Sequence, residues 1–125
     1  MNFKKLMLIV IPLAVLIVGY QLLTKVDHKD PIAVATAFTK NLKAGDNSKA
    51  AKYYVPDQAE AWEESVTYMK SGARDRFRER IPAEPGFSAP VTTAAGVTTI
   101  SSADKAYSLE MKQVDGKWYV AKVPG

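Results

Sequence analysis

Near the start of the chain, apolar positions run together without any polar alternation. From Leu6 to Leu23 the sequence reads LMLIVIPLAVLIVGYQLL, eighteen residues without a formal charge. At about 1.5 Å per residue a helix of this length covers roughly 27 Å, close to the hydrocarbon thickness of a bilayer, and so predicts one transmembrane helix. Leu6, Ile9, Ile11, Leu13, Leu16, Val18 and Leu23 form its apolar body, and Tyr20 stands where an aromatic interface anchor is expected. Pro12 and Gly19 are better tolerated in a spanning helix than in a soluble one. A cleaved secretory signal and a buried soluble helix are the rival readings. The basic segment MNFKK does precede the run as in a signal, but no small-x-small pair follows it, and the best pair on offer is Ile17 with Gly19. The predicted organisation is therefore a cytoplasmic tail at 1–5, an anchor at 6–23, a linker at 24–29 and one domain at 30–125.

Within the domain the period changes to that of helices. Asp30-Pro31 supplies an N-cap and a first-turn proline, and Val34, Ala35, Phe38 and Leu42 recur on one helical face until Gly45. Asp46 or Asn47 caps a second, short helix with Ala50, Ala51 and Tyr54 on one side, ending before Pro56. Asp57 and Glu60 have capping-box spacing, and Trp62, Val66 and Met69 continue the pattern to Ser71-Gly72. The stretch 73–81, ARDRFRERI, places Ala73, Phe77 and Ile81 on one face of a further helical segment.

After the loop IPAEPGFSAP the chain turns to Val, Thr and Ser with alternating apolar positions, which predicts strands. Asp115-Gly116 is the two-residue loop of a type I′ hairpin. Counting outward from it pairs Gln113 with Trp118, Met111 with Val120 and Leu109 with Lys122, and puts Tyr107, Leu109, Met111, Trp118 and Val120 on one apolar face. A strand near Val97–Ser101 and another within 90–95 complete the set. The predicted fold is α+β, with two to four helices on one face of a three- to four-stranded antiparallel meander.

Charge and composition narrow the partners. The formal net charge is +4, but Lys4 and Lys5 precede the apolar run, leaving fifteen basic and thirteen acidic residues beyond it. That balance gives no field that would draw the domain to nucleic acid. Cysteine is absent, which removes disulfides, thiolate metal sites and a lipid-modified cysteine. Lys4, Lys5 and the terminal amine stand on one side of the anchor against Lys25 and Lys29 on the other, and the likeness of this start to an export signal turns the reading to a cytoplasmic N-terminus, and so to a bacterial inner-membrane protein with a periplasmic C-terminal domain.

The order of elements, the turn AGDNSKAAKYY and the closing hairpin DGKWYVAKV resemble the nuclear-transport-factor-two-like superfamily of cone-shaped α+β rolls. More narrowly, the chain is similar to small bacterial membrane-anchored members, in which a Gly-Asp step leads into the second helix and Gly-Lys-Trp opens the last strand. Here those are Gly45-Asp46 and Gly116-Lys117-Trp118, and the likeness extends over about residues 30 to 124. The superfamily roll usually places strands between its helices. None is read between Pro31 and Ile81, so the resemblance implies a reduced roll. The plan of tail, single helix and roll is also similar to that of the bitopic scaffold subunit of type IV secretion systems, with no functional residue carried across.

Enzymes of the superfamily pair an Asp or His base with a Tyr, His or Asp inside the cone. The single histidine, His28, falls in the linker and reads as solvated. Asp46, Asp57 and Glu60 are assigned to helix starts and Asp115 to a turn, Glu110 points away from the apolar face, and Glu63, Glu64 and Asp104 read as surface. No catalytic, cofactor-binding or metal-ligating set emerges, and no cofactor is expected. Arg74, Arg76, Arg78 and Arg80 form the one concentrated charge, a candidate contact for an acidic partner or for lipid phosphates. The interleaved Asp75 and Glu79 also allow a self-paired, solvated face. Tyr54, Trp62, Tyr107 and Trp118 are candidates for lining a cavity, although aromatics at such spacing are more often core.

The expected function is a non-catalytic, membrane-tethered interaction or accessory module, with a subunit of a membrane complex as its narrower form. Its partners would be the bilayer and a protein of the membrane or envelope, or a second copy. The alternatives are a small-molecule or lipid binder using the aromatic cavity, and an enzyme of the same superfamily.

Overall fold

A computed structural model describes residues 26–124. The predicted anchor residues Leu6 to Leu23 lie outside the described residues. Among the described residues no helix is long and apolar enough to cross a membrane.

Helix α1 (Pro31–Lys43) begins as its sequence dictates: Asp30 Oδ1 accepts from the amides of Ile32 and Ala33 at 3.0 and 3.3 Å, and Pro31 occupies the first turn. Gly45, with φ +84°, ends the run in the left-handed region that glycine enters without strain. Asp46 then caps α2 (Asn47–Ala51) by accepting from Lys49 N at 3.1 Å. Helix α3 (Ala59–Thr67) departs from expectation at its start. Gln58 is its N-cap and makes no side-chain bond, so Asp57 is not the cap its spacing suggested. Helix α4 (Ser71–Glu79) takes up Ser71 and Gly72 in its first turn, and the break falls instead at Tyr68 to Lys70.

Strands β1 (Val91–Thr92), β2 (Thr98–Ser101), β3 (Ser108–Val114) and β4 (Lys117–Lys122) form an antiparallel meander in the order β1-β2-β3-β4. Asp115 and Gly116 both have positive φ, 52° and 77°, as a type I′ turn requires. The hairpin register follows the count from that turn as far as Met111–Val120 and then shifts, so that Glu110 and not Leu109 faces Lys122. The extra residue is Ala121, a bulge whose cause is visible in the chemistry. The unshifted register would turn Lys122 onto the buried face beside Leu109, whereas the bulge rotates it to the outer face opposite Glu110. Tyr54 Oη donates to the carbonyl of Ala121 at 3.0 Å and so gives the bulged peptide a partner.

The helices cover one face of the sheet. Val34, Phe38 and Leu42 of α1, with Val66 of α3 and Ile81 and Phe87 beyond α4, bury the inward residues Ile100, Tyr107, Leu109, Met111 and Val120. Burying one such large apolar side chain contributes about 1.5–3 kcal/mol. This layer is what fixes the helical half against the sheet.

One further pairing was not anticipated. Tyr54 forms a parallel bridge to Val120, with Val120 N donating to Tyr53 O at 2.7 Å and Val55 N to Val120 O at 2.9 Å. The segment between α2 and α3 thus acts as a one-residue strand, where the sequence had shown none between Pro31 and Ile81.

Candidate functional site

Strand β4 is the end of the sheet, and its outward amides at Trp118 and Val120 would stand open without cover from elsewhere in the chain. Tyr53 and Val55 take the bonding positions at Val120. The position at Trp118 is taken by the segment that enters the domain. Trp118 N donates to His28 O at 2.7 Å, and His28 Nδ1 lies 3.1 Å from Trp118 O, a bond that requires the proton on Nδ1. The imidazole stacks on Tyr53, with centroids 5.6 Å apart at 27°, and leans on Tyr119 at 5.0 Å. Val26 packs against the core two residues earlier.

The expectation that His28 is merely solvated therefore fails: it is half-buried and fastens the entering chain to the sheet edge. No local pattern could have shown this, because its partner lies ninety residues away and the polar run around it reads as linker.

The four candidate cavity aromatics do not come together. Tyr54 and Trp62 meet at 4.9 Å, both against Phe38, at 6.3 and 5.2 Å, as an edge-on cluster in the helical half. Trp118 is half-buried at the β4 edge. Tyr107 is buried on β3's approach; its hydroxyl has no hydrogen-bond partner, and burial pushes its pKa up to about 12. A cleft of about 320 Å³ lies instead beside the outer face, lined by Thr99, Ser108, Leu109, Glu110, Lys122 and neighbouring residues, with none of the four aromatics among them.

The four arginines also divide. Arg76 and Arg80 are exposed, whereas Arg74 and Arg78 are half-buried on the opposite side of α4. The Arg78 guanidinium lies against Gly45, where an added Cβ would come within 3.2 Å of it, and the Arg78 carbonyl accepts from Lys43 Nζ at 2.8 Å. Arg74 Nε is buried without a partner. The single ion pair among the described residues is Lys49–Asp46, so Asp75 and Glu79 do not pair with the arginines and the self-paired reading of this face fails.

Asp104 sits in the β2–β3 turn, where the Ser102 hydroxyl donates to it at 2.6 Å and the Ala106 amide at 3.0 Å. These bonds, the hydroxyl's first, hold its carboxyl below the usual range. That is a stabilised turn anion, the reverse of a raised general base. No cluster of three His, Cys, Asp or Glu able to hold a metal occurs among the described residues.

No protein family, curated protein or solved structure matches the chain.

Proposed function

We propose that the protein is a non-catalytic, membrane-tethered accessory module: a single N-terminal helix crosses the bacterial inner membrane and holds the α+β domain in the periplasm. The observation that carries this reading is the uncharged run Leu6–Leu23, which ends two residues before the packed Val26. Helices followed by a meander, with one bridged residue between helices, support placing the domain as a reduced nuclear-transport-factor-two-like roll. The exposed Arg76 and Arg80, with no carboxylate at pairing distance among the described residues, offer the contact for an acidic protein partner of the membrane or envelope. Confinement to a layer near the membrane raises the effective concentration for that partner.

Fractionation of cells expressing the full chain tests the anchor. The protein stays in the pellet after alkaline carbonate extraction, and its C-terminal domain is digested by protease added to spheroplasts. Leu13→Arg with Leu16→Arg, each costing about 2.5–3.5 kcal/mol at a helix centre, releases it or blocks its insertion. Recovery of the wild-type chain in the soluble fraction contradicts the proposal. For the contact, Arg76→Ser with Arg80→Ser lowers in-membrane crosslinking to partners while leaving the melting temperature unchanged; undiminished crosslinking removes the arginine contact.

A further inference from the structure

Chain connectivity restricts where a domain anchored in this way can stand, and the inference rests on that anchored reading. Thr24 and Lys25 alone separate Leu23 from Val26, so three residue steps, reaching at most roughly 10 Å, join the apolar run to the packed domain. The polar layer on each side of the hydrocarbon is itself about 5–8 Å deep. The clasp formed by His28 on Trp118 thus lies at or just above the headgroups. It cannot swing away, because His28 is held to Trp118 through its carbonyl and its ring.

We infer that the clasp end of the domain is a lipid-facing surface resting on phospholipid headgroups. Its residues are Tyr53 and Tyr119 around His28, flanked by Lys29, Lys52 and Lys117. The chemistry suits that depth. Tyrosine combines an apolar ring with a polar tip and concentrates at the membrane–water boundary, and lysines beside it reach headgroup phosphates. All three lysines are exposed, and none has a carboxylate at ion-pair distance among the described residues. Asp27, which accepts from Lys29 N, Asp30, which caps α1, and Asp115 in the adjoining turn stay charged among them, so this end carries no net positive charge and suits phospholipid headgroups without selecting anionic ones.

The arginine helix stands elsewhere. Thirteen residues of α1, about 20 Å, lead from the clasp to Gly45, where Arg78 sits. That exceeds the screening length of about 8 Å at physiological salt. The clasp takes the lipid, and Arg76 and Arg80 are left facing a protein.

The chain has no native cysteine, so single cysteines can report position. Lys52→Cys and Lys117→Cys mark the clasp, Lys105→Cys marks the β2–β3 turn roughly 25 Å away along the sheet, and Arg76→Cys marks the arginine face. Each full-length variant carries a fluorophore and is reconstituted into nanodiscs of phosphatidylcholine and phosphatidylglycerol with a quencher on the headgroups. The expected result is marked loss of fluorescence at 52 and 117 and little at 105 and 76. Equal loss at all four positions, or greater loss at 76 than at 52 and 117, overturns the inference. A chain that fails to migrate with the discs contradicts the anchor itself, an outcome distinct from a domain that is anchored but turned the other way.

Discussion

The two edges of the sheet are finished in opposite ways. At β4 the outward amides of Trp118 and Val120 are bonded to His28 and Tyr53, segments that reach the edge from before α1 and from between α2 and α3. At the other end β1 is two residues long, and Val91 is 66% exposed. A six-residue edge beside the core is a template for unwanted pairing and is covered; an edge of two residues offers too few bonds to need cover. The contrast shows that the helical and sheet halves are joined by backbone bonds along β4 as well as by side-chain packing.

Substitutions can break or sharpen that contrast. The largest effect is expected from Tyr54→Ala, which removes the ring packed on Phe38 and Trp62 and the donor to the Ala121 bulge. By analogy with other buried aromatics it costs about 3–5 kcal/mol in chemical denaturation; a loss below about 1 kcal/mol would mean the bridge segment does not hold β4. His28→Ala leaves the backbone carbonyl in the chain but loses the ring contacts and the Nδ1 bond that hold it against Trp118, for about 1–2 kcal/mol. A variant as stable as wild type would reduce the clasp to a surface contact.

Tyr107→Phe deletes a hydroxyl that is buried without a partner, so stability at neutral pH is held or slightly raised. The pH dependence has a definite sign. Burial keeps Tyr107 protonated past its ordinary value of 10, up to about 12, so its contribution is complete below pH 10 and is lost as pH rises from 10 toward 12. Equilibrium unfolding across that window shows a shallower decline in Tyr107→Phe than in wild type; parallel curves would place the titration elsewhere. The smallest effect belongs to the open edge. Val91→Lys changes stability by no more than about 0.5 kcal/mol, and a larger loss would show that β1 is packed in a way its exposure does not reveal.

Local signals were the legible ones. Asp30-Pro31, Asp46 and Asp115-Gly116 act through bonds or dihedrals within a few residues, and each shaped the element it announced. The helical face of Val34, Phe38 and Leu42 and the strand face of Leu109, Met111 and Val120 followed from periodicity. Two kinds of feature could not be read this way. The Ala121 bulge answers a conflict between hairpin register and the burial of Lys122, which appears only once the neighbouring layer is in place. The His28 clasp and the Tyr54 bridge join positions far apart in the chain, and neither leaves a periodic trace. Among candidate site residues, the four arginines divide into the exposed Arg76 and Arg80 and the half-buried Arg74 and Arg78, because i and i+2 on a helix point apart.

Amide hydrogen exchange along β4 tests the central claim, that the segment entering the domain is locked to the sheet edge, most directly. The account predicts that the Trp118 and Val120 amides are protected to the level of the β3 amides while β1 exchanges quickly, and that His28→Ala lowers protection at Trp118 far more than at Val120. Rapid exchange of the Trp118 amide in the wild-type chain would contradict it.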